Sequence, residues 1–232
     1  MPPGRRSRAG SRRRDARASS VAVIGLGRFG RALALELIDE DTEVLGIDED
    51  PDTVQALSGS LTHVVRADST KEEVLRQLGV HEFDRAVVGI GTNLEASILT
   101  ASLLVSFGVA DVWAKATSEA HGRILTQIGA HHVIYPEHDM GQRVAHLVRG
   151  RMLDYIEFED DFAMVKTSAP ADIVGLPLGS SNVRTRHGVT VVAIKRAGEG
   201  FTYATAATVV KEGDTIIVAG RTRQTERFSE LT

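Results

Sequence analysis

The stretch Val21-Ala22-Val23-Ile24-Gly25-Leu26-Gly27-Arg28-Phe29-Gly30 decides how the rest of the chain is read. A short apolar run rich in β-branched residues ends in Gly-x-Gly-x-x-Gly and passes into a helical pattern at Ala32, Leu33, Leu35, Leu37 and Ile38. Each glycine has a physical reason. Gly25 permits a tight turn, Gly27 lets the backbone approach a phosphate with no Cβ in the way, and Gly30 lets the helix pack closely on its strand. The first amides of that helix and the positive end of its dipole then face an anion.

A second strand, residues 43–48, ends in Asp48, 23 positions after Gly25. A carboxylate at this spacing accepts hydrogen bonds from ribose hydroxyls and repels a 2′-phosphate, which suits NAD, NADH, ADP or ATP better than NADP. Its alternative role is to begin a turn, because Asp50-Pro51 reads as the N-cap and first residue of the next helix.

Strand and helix continue to alternate. Further strands are expected at 62–67, 85–90, 111–115 and 132–134, each preceded by a helical stretch. After the third strand come Asp68, Ser69 and Thr70, with Thr70 and Glu73 at capping-box spacing for a helix that stops at Gly79. Asp68 belongs either to the adenine edge of a nucleotide site, with Ser69 beside it, or to the turn itself. Gly91, Thr92 and Asn93 form a polar turn after the fourth strand, where Asn93 or Thr92 caps the following helix. Lys115, at the exit of the fifth strand, reads as a phosphate-neutralising cation or as a solvated strand end. The pattern is α/β: a Rossmann-type parallel sheet over 19–136 that binds ligands beyond the carboxyl ends of its strands.

From Glu137 to about Asp154 the periodicity predicts one helix, with Met140, Val144, Leu147 and Val148 on a stripe, so that 137–157 is a linker. The stripe serves core packing or a crossing to a partner subunit. Residues 158–232 read as a small α+β domain with strands at 162–167, 189–194 and 215–219.

Composition narrows the chemistry. The 232-residue chain has 42% hydrophobic residues and no cysteine, which excludes disulfides, thiol nucleophiles and zinc–thiolate sites and fits an intracellular compartment. No apolar run approaches the roughly 20 residues of a membrane span, so a membrane role is expected to be peripheral. The net charge of −4 hides an asymmetry: residues 1–18 hold seven Arg and one Asp, net +6, leaving −10 on the remainder. With Pro2, Pro3, Gly4 and Gly10 this basic tail is expected to be disordered. It either meets anionic lipid or nucleic acid, or is inert or the product of an upstream start codon. The acidic remainder argues against nucleic acid as the main partner.

A dehydrogenase would need acid–base machinery that is hard to find. His187 is the only histidine after residue 157, with no carboxylate or tyrosine at suggestive spacing, and His131 and His132 point to opposite faces of a strand. Neither a P-loop nor a Gly-x-Ser-x-Gly elbow occurs. A non-enzymatic nucleotide sensor is therefore expected, with a free-standing NAD-dependent oxidoreductase as an alternative.

Gly-Leu-Gly-Arg-Phe-Gly at 25–30, Asp68-Ser-Thr70, Trp113-Ala-Lys-Ala116, Ile128-Gly-Ala130 with Tyr135-Pro-Glu-His-Asp-Met-Gly141, and Asn182-Val-Arg-x-Arg-His-Gly188 followed by Ala193-Ile-Lys195 resemble the RCK (or KTN) regulatory subunits of bacterial Ktr/Trk potassium uptake systems. The resemblance covers about 20–228 in order and implies a Rossmann lobe, a crossover helix and a small C-terminal lobe. It further implies a cytosolic protein, peripheral on the membrane, whose dimers assemble into an octameric ring beneath a potassium-translocating subunit. ATP and ADP, or NADH and NAD, would favour different ring shapes. Gly25, Gly27, Phe29, Gly30 and Asp48 would hold the nucleotide together with Asp68, Ser69, Gly91 and Asn93. Arg28 would reach a terminal phosphate, Lys115 would neutralise phosphates, and Glu137 would support Mg, Ca or Na near the γ-phosphate. In the C-terminal lobe Asn182, Arg184 and His187, walled by Ile173 and Ile194, would contact cyclic di-AMP; their alternative is a capped turn with surface arginines. A regulator of another cation channel or exchanger is the remaining alternative.

Overall fold

Ser20–Ile24 (β1) is flanked on both sides by parallel neighbours, Glu43–Asp48 (β2) and Arg85–Val88 (β4), and apart from residues at their ends the three strands are buried. That is why the sequence shows continuous apolar runs here rather than alternation. His63–Arg66 (β3), Asp111–Lys115 (β5) and His132–Ile134 (β6) complete an all-parallel sheet of order β3-β2-β1-β4-β5-β6. The computed structural model describes residues 20–149 and 151–232; the basic tail at 1–18 lies outside the described residues.

Two apolar layers sandwich this sheet. Val21, Val23, Leu26, Val44 and Val87 pack with Ala34 of α1 (Arg28–Asp39) and Leu57 of α2 (Pro51–Leu57). Ala22, Ile24, Ile47 and Val88 pack on the other side with α3 (Glu72–Gln77), α4 (Leu94–Ser106) and α5 (Glu119–Gln127) through Leu75, Leu104 and Leu125. The strand order reverses between β1 and β4, which opens a crevice at their carboxyl ends.

The chain divides into two compact units after Pro136. The second takes all of α6 (Pro136–Arg149) but its first residue and carries a five-stranded antiparallel sheet of order β10-β9-β11-β8-β7. These strands are Met152–Phe158 (β7), Phe162–Ser168 (β8), Thr190–Lys195 (β9), Phe201–Tyr203 (β10) and Thr215–Arg221 (β11). One face packs on Val183 of α7 (Val183–His187) and Phe228 of α8 (Thr222–Ser229). Arg143 of α6 pairs with Asp154 at 2.5 Å, and His146 stacks on Tyr155 and meets Glu226 at 2.8 Å. Among the described residues no helix is long and apolar enough to cross a membrane.

Two local expectations are overturned. The helix after Glu137 stops at Arg149, and Met152–Phe158 is a strand. The apolar stripe of α6 runs without a break into Met152, Tyr155 and Ile156, so periodicity alone extends the helix, whereas pairing with β8 from Met152↔Thr167 to Phe158↔Phe162 settles a hairpin. Its turn is hidden because Asp160 and Asp161, at φ 60° and 58°, occupy left-handed positions usually signalled by glycine. The capping box at Thr70 does not form either. Thr70 donates its N–H and hydroxyl to Asp68 at 2.9 and 2.6 Å, and the helix begins one residue past Lys71 without a side-chain cap.

A left-handed β-carbon is costly, so Asp161→Gly is expected to stabilise the second unit by about 0.5–1 kcal/mol. Chemical denaturation of the full chain checks this. An unchanged or lower midpoint would contradict the turn geometry.

Candidate nucleotide-binding site

Leu26 N–H donates to Asp48 Oδ2 at 2.6 Å, and Gly25 N–H donates to Ile47 O at 2.8 Å. The end of β2 thus holds the glycine turn in place. Asp50 N–H donates to Asp48 Oδ1 at 2.9 Å, so each carboxylate oxygen accepts one backbone N–H and keeps capacity for a second donor. That half-buried carboxylate is suited to a pair of hydroxyl groups.

The three motif glycines differ in their surroundings. Gly25 has φ +88°, and a β-carbon there would lie 2.8 Å from Ile90 Cγ1. At Gly30 it would lie 1.9 Å from Gly25 O, so α1 packs on the turn at a distance only glycine allows. At Gly27 a β-carbon would meet nothing within 4 Å. Its absence leaves open space directly before the first turn of α1. That turn contains no acidic residue and has no side-chain cap, which leaves its amides available to an anion. The surroundings of Gly27 therefore have the shape and polarity that a phosphate needs.

Gly89, which spacing alone does not single out, belongs to the same construction. Its N–H donates to Ile24 O at 2.7 Å, and a β-carbon on it would be 2.8 Å from Gly25 O. A glycine directly after a buried apolar strand was the available signal.

Lys115 is 8% exposed at the end of β5. Its Nζ lies 5.9 Å from the centre of the Phe29 ring and 3.3 Å from where a Gly91 β-carbon would stand. Phe29, Gly91 and Lys115 therefore meet at the crevice, and Gly91 leaves room for the ammonium group. Asn93 caps α4 by accepting from Ala96 N–H at 3.0 Å. Arg28 is the exposed first residue of α1, and Glu137 is exposed in the first turn of α6. Among the described residues no group of three or more His, Asp or Glu is placed to hold a metal.

Other expected residues have different surroundings. Asp68 is a turn residue whose carboxyl is held below the usual carboxylate range by the Thr70 hydroxyl. The Ser69 hydroxyl is buried and shares a 2.8 Å hydrogen bond with Thr100. In the second unit Asn182 has φ 54°, Arg184 Nε donates to Thr190 Oγ1 at 3.1 Å, and His187 Nε2 lies 3.0 Å from Asp172 Oδ2. Ile173 and Ile194 are both buried in the core of this unit. A surface site at α7 is left with polar groups.

One titratable group on α5 is fully enclosed. His121 of α5 is buried, its Nδ1 accepts from Thr117 N–H at 3.3 Å, and burial holds the imidazole below the usual histidine range. The fold thus retains the neutral form. Stability from this group is full above the unfolded value near 6.5 and is lost as pH falls below it. We expect a lower Tm at pH 5 than at pH 7, and His121→Asn, whose Oδ1 replaces the acceptor, to shrink that drop. An identical drop in both proteins would contradict this role.

Residues 21–136 match the TrkA-N domain and residues 162–232 the TrkA-C domain. The chain is 39% identical over 210 residues to Ktr system potassium uptake protein C of Bacillus subtilis (strain 168), covering 90% of this chain and 95% of that one. It is 36% identical over 200 residues to Ktr system potassium uptake protein A of Vibrio alginolyticus, covering 86% and 91%. The chain belongs to the Ktr potassium uptake protein family. Among solved structures, the GsuK RCK domain superposes with a TM-score of 0.63 at 19% identity, over 94% of this chain and 48% of that one. This Ktr-family chain therefore has the RCK fold and spans about half the length of that structural neighbour.

Proposed function

We propose that this Ktr-family chain is a non-enzymatic regulatory subunit that binds an adenine nucleotide and passes its state to a potassium-translocating membrane partner. The observation that carries the reading is the open space at Gly27, set between the uncapped start of α1 and the Asp48 carboxylate. ATP and ADP, or NAD and NADH, share the adenosine and pyrophosphate that such a site holds. The protein acts at the cytosolic face of the membrane as a ring of dimers. Asn182, Arg184 and His187 supply a polar surface for a cyclic di-AMP input through the second unit.

Gating follows from linkage. A nucleotide bound equally by two ring shapes shifts nothing, so the γ-phosphate must meet a group that ADP does not reach. Arg28, exposed at the start of α1, is assigned that role, with Lys115 neutralising the phosphates. A hundredfold shift of the equilibrium needs a differential affinity of about 3 kcal/mol summed over the sites.

Isothermal titration tests this assignment. Arg28→Ala is expected to weaken ATP by roughly tenfold, as for loss of one charged hydrogen bond, while ADP changes little. Equal loss for both nucleotides would remove Arg28 from the discrimination. Steady consumption of NADH with a carbonyl substrate would replace the regulatory reading with an oxidoreductase.

A further inference from the structure

Helix α6 has 14 residues, and none of them is buried. Apolar burial therefore contributes little to its place on the second unit, where Leu147 is its one residue packed against the core. Two polar contacts hold the helix as well. Arg143 reaches Asp154 of β7. His146 lies flat on the Tyr155 ring, with ring centres 4.2 Å apart, and its Nδ1 stands 2.8 Å from Glu226 Oε1 of α8. A helix held mainly by such contacts belongs to the low-stability end of a domain, the part that opens first.

The two contacts respond differently to pH. The Arg143 guanidinium is always charged, and its hydrogen bond holds the Asp154 carboxyl below the usual carboxylate range. An imidazole changes its charge between pH 5 and 8. With His146 protonated, the contact to Glu226 is an ion pair; with His146 neutral, it is an ordinary hydrogen bond, and a charge-assisted bond is roughly twice as strong as a neutral one. Both side chains are 24% exposed, which limits screening by solvent and salt.

The charged groups around His146 do not duplicate it. On α6, Arg143 is engaged with Asp154, and Arg149 lies about one turn further on. On β7, Glu157 accepts from Thr222 Oγ1 at 3.4 Å, and burial pushes the Tyr155 phenol up to about 12, so it does not titrate with an imidazole. On α8, Arg223 and Glu230 stand about one turn either side of Glu226, and Lys166 of β8 acts on Asp154. Among the described residues Glu226 makes no ion pair except that with His146. His138, the other histidine of α6, meets Asp139 of its own helix.

We propose that His146 is a pH-operated clamp on α6. The imidazolium fastens α6 to α8 through Glu226; as pH rises the proton leaves, the charged contact is lost and the helix loosens from its unit. The chain thereby senses pH through α6, an input separate from the nucleotide crevice.

Hydrogen exchange of the full-length protein at about pH 6 and about pH 8, corrected for the intrinsic rate, tests the clamp. Protection of α6 amides is expected to fall about fivefold from the lower to the higher pH, as for loss of the charge on one hydrogen bond. His146→Gln keeps a planar amide against Tyr155 and cannot ionise, so its α6 protection should not change with pH. Glu226→Gln removes the counter-charge and should flatten the response as well, whereas His138→Gln should retain it. His121 belongs to the other unit and stabilises in its neutral form, so a reading confined to α6 separates the two histidines. A fall that persists in His146→Gln overturns the proposal, as does protection in the parent that rises or stays constant with pH. An equal fall in β8 and β11 is loosening of the whole unit and overturns it too.

Discussion

Gly27→Ala and Gly30→Ala, three positions apart in one motif, are expected to fail in different ways. At Gly30 a β-carbon would stand 1.9 Å from Gly25 O, a backbone atom held by the turn between β1 and α1. Accommodation requires α1 to move off the sheet, so the variant should lose about 4 kcal/mol or more and accumulate poorly as folded protein. At Gly27 the backbone is extended, with φ −62° and ψ −168°, and the added methyl group meets no protein atom within 4 Å. That variant should fold with stability within about 0.5 kcal/mol of the parent. Its methyl group would occupy the space proposed for the phosphate, and nucleotide affinity should then fall about 100-fold, or roughly 3 kcal/mol. Thermal unfolding and nucleotide titration of both variants separate the two effects. Unchanged affinity in a folded Gly27→Ala protein would move the ligand elsewhere.

The second large effect is expected at Asp48. Its carboxylate accepts from Leu26 N–H at 2.6 Å and Asp50 N–H at 2.9 Å, so it organises the glycine turn before any ligand arrives. Asp48→Ala removes both contacts and the proposed ribose acceptor. Charge-assisted hydrogen bonds are worth about 1.5–3 kcal/mol each, which sets an expected loss of at least tenfold and up to several hundredfold in ATP or NADH affinity. Asp48→Asn keeps an oxygen for Leu26 and should lose less. The same loss of charge should narrow the preference for NADH over NADPH, since a 2′-phosphate no longer meets a carboxylate. Competition titration with the two dinucleotides measures this directly, and an unaltered ratio would take Asp48 out of ribose recognition.

These residues are legible in the sequence because their roles depend on backbone geometry. The short turn from β1 into α1 admits few sequences, and the strand order that follows places Asp48 against Leu26. Chain-local patterns do less well where pairing partners decide the outcome. β7 reads as more helix because nothing between Arg149 and Phe158 announces that β8 will pair with it. Strand β10 is only three residues long and is defined by its partner β9, not by its own alternation. Ile173 and Ile194 are apolar positions beside polar ones, and only packing shows that they face the core. Gly89 follows the same logic, since its need for a bare α-carbon arises from Gly25 O, 64 positions earlier in the chain. Thr70 illustrates competition between local motifs, with Asp68 capturing the groups that a capping box would have used.

The space before α1 is proposed to receive the phosphates of a nucleotide whose ribose lacks a 2′-phosphate. Isothermal titration of the full-length protein with ATP, ADP, NADH and NADPH tests it most directly. Saturable binding of ATP, ADP or NADH at one site per chain, with NADPH at least tenfold weaker, is the result the Asp48 carboxylate predicts. Absence of binding by all four at millimolar concentration would exclude a nucleotide from this crevice.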